Sequence, residues 1–174
     1  PQTITVTGVN DDIDRDDSAT ITLTVNDVGS DDAFDALADQ TVAITLTDDD
    51  DAGFTQSETA LTIAENAGTD SFTIVLDSEP TSDVVFDISS DDTNEATVSS
   101  AQLTFTSANW DTPQTITITG VNDDIDRDDS ATITVSVNDA GSDDTFDALA
   151  DQTVAITLTD DDDAGYTLSE IDLI

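Results

Sequence analysis

Cysteine, histidine and lysine are all missing from the 174 residues, and Arg15 and Arg127 are the only basic side chains. No disulfide can staple the fold, and zinc and thiolate chemistry lose their usual ligands. Nucleophilic catalysis through a histidine, cysteine or lysine is excluded with them. Carboxylate pairs alone would support hydrolysis only in a cleft, which strands this regular do not suggest, so no enzyme is expected. Two arginines against 41 acidic residues, a formal net charge of -39, exclude nucleic acid and anionic membrane surfaces as partners, because phosphate recognition needs cations. No apolar run approaches 18 residues, so neither direct membrane insertion nor a secretion leader within these residues is expected. Pro1 falls inside a strand pattern, which leads us to expect an internal piece of a longer protein.

What the chain does have is 36% apolar residues, arranged in short Val, Ile, Leu and Phe runs that can build a core. It also has a repeat. Residues 1–62 match residues 113–174 at 52 of 62 positions, a period of about 112 residues. Within one period, Ile and Val alternate with Thr and Ser in seven segments, near residues 59–65, 70–77, 83–88, 102–106, 113–119, 130–138 and 152–159. Period-two alternation is the mark of half-buried antiparallel strands. Residues 143–150 are the one place where a helical turn is expected, with Phe146 and Leu149 facing the core. Seven short strands in about 110 residues predict an all-β, seven-stranded Greek-key sandwich of immunoglobulin-like type, in a head-to-tail tandem array. The repeat register divides the chain into the last three strands of one repeat (1–50), a complete repeat (52–163) and the first strand of another (164–174).

The acidic run at residues 160–163 repeats the run at 48–51. Two unit charges of one sign 4 Å apart repel by about 4 kcal/mol at an effective dielectric near 20, so a fold that gathers carboxylates needs a counter-charge. Strand directions alternate in a sandwich. The connections after the first, third, fifth and seventh strands therefore share a pole, and they carry Glu65; then Asp91, Asp92 and Glu95; then Asp123, Asp124, Asp126 and Asp128; then Asp160, Asp161, Asp162 and Asp163. Hard oxygen donors at this density point to Ca2+, with six to eight oxygens at about 2.3–2.6 Å, rather than to magnesium. The earlier copy supplies the matching Asp11, Asp12, Asp48, Asp49 and Asp50. A merely solvated acidic surface would instead scatter acids along outward strand faces, which here carry Thr, Ser and Gln. Asp77, Asp83, Asp111, Asp143, Asp144, Asp147 and Asp151 fall at the opposite pole and are expected to be solvated.

The series Thr62-Ile63-Ala64-Glu65-Asn66, Leu103-Thr104-Phe105, Thr117-Ile118-Thr119-Gly120-Val121-Asn122-Asp123-Asp124 and Thr157-Leu158-Thr159-Asp160-Asp161-Asp162 resembles the Calx-beta domain. The resemblance covers the complete repeat and its flanks. It implies an immunoglobulin-like sandwich with calcium ions at one pole, held at positions matching Glu65, Glu95, Asp123, Asp124, Asp160, Asp161 and Asp162. Two departures stand out: Arg127 and Ser130 stand where the sodium/calcium exchanger domains of that family place acidic ligands, and Thr93-Asn94-Glu95-Ala96 replaces the usual Gly-Ser-Asp-Tyr stretch. Near-identical, acidic, cysteine-free copies resemble the stalk repeats of RTX-type bacterial adhesins.

These readings lead to one expectation of function. The protein is a non-catalytic, calcium-stabilised extender segment of a large bacterial surface adhesin, secreted and extracellular, whose partners are the neighbouring repeats of its own chain. Calcium would fix the hinge at residues 160–165 and stiffen the array. The alternative is a self-assembling calcium-dependent filament, in which another copy completes residues 1–50. A third reading, calcium-mediated sugar binding, would need an exposed aromatic beside the ions; Trp110 and Tyr166 are the candidates, and both are expected to pack.

Overall fold

The computed structural model describes residues 1–169 and divides into two compact units, Pro1–Asp51 and Ala52–Ile174. Among the described residues, the second unit holds nine strands in two sheets. In the first unit, β1 (Asp17–Leu23) pairs antiparallel with β2 (Gln40–Leu46). The strands of the second unit are β3 (Phe54–Gln56), β4 (Ala60–Ala64), β5 (Thr69–Leu76), β6 (Val84–Ser90), β7 (Ala96–Val98), β8 (Gln102–Phe105), β9 (Gln114–Gly120), β10 (Asp129–Val137) and β11 (Gln152–Thr159). One sheet runs β4-β11-β10-β6-β8 and the other β3-β5-β9-β7. Chain neighbours such as β9 and β10 lie in different sheets, as the expected Greek-key sandwich requires.

Alternation does the sorting. In β10 the buried residues are Ala131, Ile133 and Val135; in β11 they are Val154, Ile156 and Leu158; the intervening Thr and Ser residues face outward. The opposite sheet contributes Phe72, Ile74 and Leu76 from β5 and Ile116 and Ile118 from β9. At the centre, Phe86 packs against Phe54 at a ring-centroid distance of 4.7 Å and edge-on against Phe105 at 5.9 Å.

Two strands more than expected are present, and each has a local cause. The strand expected at 59–65 is β4, which runs parallel to β11, and an unexpected short strand, β3, precedes it and pairs with β5 in the other sheet. A single chain segment thus closes one edge of both sheets. The three-residue β7 pairs with β9 through Ala96↔Gly120, a bridge too short to register as alternation. Residues 143–150 form turns, with Phe146 buried and Leu149 against the core, and the regular one-turn helix lies just before them as a 3-10 turn at Asp139–Gly141.

Asp143 corrects an expectation. It is buried rather than solvated, and its carboxylate accepts hydrogen bonds from the Thr81 N–H at 2.7 Å, the Thr81 hydroxyl at 2.6 Å, the Ser82 N–H at 2.9 Å and the Thr145 N–H at 3.1 Å. Burial alone would raise its pKa, but the donors from Thr81, Thr145 and Ser82 win and hold it far below the usual carboxylate range.

The first unit keeps only the β1–β2 hairpin, in the register that β10 and β11 use: Asp17↔Leu46 matches Asp129↔Leu158. Three strands were expected in residues 1–50, and residues 1–10 form none. Their counterpart β9 pairs with β5 and β7, and residues 1–51 include no equivalent of either strand. The same absence leaves apolar side chains in water: Phe34 is 54% exposed where its counterpart Phe146 is 1% exposed. Residues 164–169, expected to open a further repeat, contain no strand, and Tyr166 is exposed; residues 170–174 lie outside the described residues.

Candidate metal centre

The pole is built by strands that end together. Because β4 and β11 are parallel, Ala64 lies opposite Thr159, so Glu65 and Asp160 leave the sheet side by side; the Glu65 N–H donates to the Thr159 carbonyl at 3.1 Å. The turn after β4 is tight. Ala67 adopts a positive φ of 54°, and the Gly68 N–H returns to the Ala64 carbonyl at 3.0 Å. A Cβ on Gly68 would come within 2.5 Å of the Ala64 carbonyl oxygen, and one on Gly120 would strike the same carbonyl and the Glu65 Cα. Both glycines are therefore close-approach residues that press the end of β9 and the β4–β5 turn together beneath Glu65.

The side chains that converge form two groups. Glu65, Asp161 and Asp162 each offer an oxygen within 4.8 Å of the others, and so do Glu95, Asp123 and Asp129. Glu65 is 1% exposed, and its Oε1 has no hydrogen-bond partner; neither has Asp162 Oδ2. Buried carboxylate oxygens without donors are costly, which makes them the part of the pole that most needs a cation. The donor set, oxygen only and anionic, fits a hard divalent ion such as Ca2+. In the first unit Asp48, Asp49 and Asp50 form a third such group, with Asp48 Oδ2 and Asp50 Oδ2 unpartnered.

Burial, and then neighbouring carboxylates, raise the pKa values of four of these acids. Glu65 is pushed up by burial first and then by Asp160, Asp123, Asp161 and Asp162. Asp162 is pushed up by burial and then by Asp160, Asp161 and Asp124. Glu95 rises through burial, Asp129, Asp92 and Asp123, with Arg127 pulling the other way. Asp50 follows the same pattern, with burial ahead of Asp48, Asp49, Asp12 and Asp11. The shifts of Glu65, Glu95 and Asp162 favour the protonated form, as at a pole short of positive charge, and that of Asp50 does the same in the first unit.

Three of the remaining expected ligands serve the backbone. Asp128 Oδ1 accepts from the Asp160 N–H at 3.0 Å, Asp126 Oδ2 from the Ala164 N–H at 2.8 Å, and Asp160 Oδ1 from the Asp162 N–H at 2.9 Å. They shape the loops that carry the two groups. Asp123 Oδ1 accepts from the Ile125 N–H at 2.7 Å, and Asn66 donates to Asp161 Oδ2 at 2.8 Å. Asp124 and Asp163 stand on the same loops outside either group, as Asp11 and Asp12 stand outside the group of the first unit. Asp91 pairs with the Thr132 backbone and Asp92 caps Asn94, both in the connection after β6.

Asp129 is the member that sequence reasoning missed. Acid density favoured Asp126 and Asp128, but period two decides: Asp129 shares the inward face of β10 with Ala131, Ile133 and Val135, so its carboxylate turns into the pole. The same parity places Glu65 beyond Ile63, and Asp160 and Asp162 beyond Leu158.

No family model matches the chain, and no curated protein does. Among solved structures it is similar to the calcium binding domain CBD12 of CALX1.1, at 16% identity and a TM-score of 0.48, over 65% of this chain and 48% of that one. Domains 4 and 5 of the S-layer protein SbsC match at 17% identity and a TM-score of 0.48, over 82% and 57% of the two chains. A Bacteroides ovatus GH5 xyloglucanase matches at 16% identity and a TM-score of 0.43, over 63% of this chain and 19% of that one. The chain spans less than two thirds of each of these three. Similarity at this level leaves the chemistry to be argued from the chain's own residues.

Proposed function

We propose that this chain is a calcium-stabilised, non-catalytic stalk segment of Calx-beta type from a large bacterial surface adhesin, working outside the cell beside further repeats of its own kind. The observation that carries the reading is the buried, donorless pair Glu65 Oε1 and Asp162 Oδ2, set beside Asp161 at the end of two parallel strands. Glu65, Asp161 and Asp162 would hold the ion, which supplies positive charge and no reaction. Extracellular modules bind calcium at about 10⁻⁴ to 10⁻³ M, so the repeat would be stabilised in extracellular fluid and loosened where calcium is scarce. The near-identity of the two copies supports a repeated structural role, since nothing but spacing and folding is common to every copy of such a module.

Calorimetric titration with calcium, paired with thermal melting in chelator, tests this. Binding in the millimolar range or tighter and a melting temperature higher in calcium are expected, with magnesium a weaker substitute. Equal melting temperatures in calcium and in chelator would refute it.

A second reading has its own observation. The hairpin of the first unit leaves Phe34, Leu37 and Val42 more than half exposed, although the matching residues of the complete unit pack into or against its core. That face supports a filament in which another chain supplies the covering strands. Mass measurement at high concentration distinguishes the two, because a monomer with and without calcium excludes assembly.

A further inference from the structure

The two basic side chains of the molecule occupy the same place in each copy, Arg15 in the first unit and Arg127 in the second. Each pairs with the aspartate two residues on: Arg15 with Asp17 at 3.3 Å, and Arg127 with Asp129, whose Oδ1 accepts from Nε at 2.7 Å and also from Nη2. Asp129 is the inward carboxylate of the Glu95, Asp123 and Asp129 group. The guanidinium therefore sits at one of the two acidic groups of the pole, and the other group, Glu65 with Asp161 and Asp162, has no cationic side chain against it. Nε and Nη2 of Arg127 both engage Oδ1 of Asp129, which leaves Asp129 Oδ2 buried without a donor.

We propose that Arg127 is a built-in counter-cation that takes the place of a second calcium ion at this pole, so that a complete repeat takes up one ion fewer than its two acidic groups would hold. The inference rests on the calcium reading above and sets its stoichiometry. The physical argument is one of charge and access. A guanidinium tethered two residues from its partner is present at a local concentration no free ion matches, and it cannot be removed by a chelator. It neutralises one of three charges at the Glu95 group permanently. The Glu65 group is left as the exchangeable site, so the pole keeps part of its order in the absence of calcium. A divalent ion and the guanidinium cannot both lie against Asp129 Oδ1 without mutual repulsion. Replacing the arginine therefore frees three converging carboxylates rather than simply deleting a salt bridge.

The experiment is calorimetric titration of the full chain with calcium in three forms: wild type, Arg127→Ala and Arg127→Lys. Circular dichroism in chelator and in calcium accompanies each titration. The expected result is one additional calcium ion per chain in Arg127→Ala, with a larger calcium-dependent rise in melting temperature than wild type, and wild-type stoichiometry in Arg127→Lys. Where Arg127→Ala unfolds in chelator and recovers in calcium, the ions are counted on the refolded chain, and one more than wild type gives the same answer. Wild-type binding with no ion gained in Arg127→Ala, or merely tighter binding of the same number, overturns the proposal and leaves the calcium reading standing. A wild type that binds nothing while Arg127→Ala binds one ion reverses that outcome, upholding the role of Arg127 against the calcium reading. No binding by either chain overturns both.

Discussion

Replacing Glu65 with glutamine keeps the side chain's volume and one acceptor oxygen but removes a buried negative charge, so its effect should change sign with calcium. In chelator, wild-type Glu65 lies buried against Asp160, Asp123, Asp161 and Asp162 with one oxygen unpartnered. The amide relieves that repulsion and can donate to Asp161 or Asp162. Glu65→Gln should therefore melt at or above the wild-type temperature in chelator. In calcium the order reverses. An ion at a hundred times its dissociation constant stabilises the folded state by about 2.7 kcal/mol. Unfolding a domain of roughly 112 residues changes the entropy by about 0.24 kcal/mol/K at the usual 2.1 cal/mol/K per residue, so wild type should gain about 11 °C on saturation. Glu65→Gln should lose most of that gain. Glu58→Gln, an exposed charge beyond the far end of β4, serves as control and should lose none of it. The assay is differential scanning calorimetry of the three chains in calcium and in chelator. A full calcium-dependent gain in Glu65→Gln would refute the assignment, and so would a glutamine variant that melts well below wild type in chelator.

Acid should stabilise the chelated protein. The pKa values of Glu65, Glu95, Asp50 and Asp162 are raised by folding, so the folded state binds more protons than the unfolded one, and stability rises as the pH falls through the folded values. The gain is complete below the ordinary values of 4.5 for Glu and 3.8 for Asp, and a melting temperature in chelator that falls between pH 7 and pH 5 would contradict it. Asp143 acts in the opposite sense: its contribution is full above 3.8 and is lost only in strong acid, near its depressed folded value. Asp143→Ala strands three backbone N–H groups and a hydroxyl and should cost about 3–5 kcal/mol in urea unfolding. Asp31→Ala, the matching change in the first unit, removes one exposed hydrogen bond from the Ala33 N–H and should cost less than about 0.5 kcal/mol; equal costs would mean that both carboxylates are solvated. Gly120→Ala drives a methyl into the Ala64 carbonyl, so it should destabilise by about 1–3 kcal/mol and weaken calcium binding measured by titration, even though residue 120 is not itself a ligand.

The sandwich was legible because its signal is periodic and repeated. Ile, Val and Thr alternate through β9, β10 and β11, and two copies 112 residues apart carry the same alternation. The strands that escaped notice are three residues long: β3 and β7 hold one buried residue each, Phe54 and Ala96, and no period can be read from a single residue. Asp143 was misjudged for a different reason. Its donors, Thr81, Ser82 and Thr145, are ordinary loop residues, two of them more than 60 positions away in sequence, and nothing local separates a solvated aspartate from one that ties two loops together.

The pole itself was legible only in part, because acid density marks the loops and not the direction of each side chain. For Glu65, Asp162 and Asp129 direction follows from extending the strand period past the last paired residue, whereas Asp160 shares that parity outside both groups and Asp123 and Asp161 join them against it. The outward neighbours Asp128 and Asp126 then fall to hydrogen-bonding the Asp160 and Ala164 amides, which fixes the loops on which the inward set depends. The crowd of aspartates thus divides into two roles. Asp126, Asp128 and Asp160 accept from backbone donors, whereas Glu65 Oε1, Asp129 Oδ2 and Asp162 Oδ2 are buried without a partner. Total charge is therefore a poor measure of how many ions such a pole takes up. On the calcium reading proposed above, the buried unpartnered oxygens and the one arginine that reaches the Glu95 group set that number.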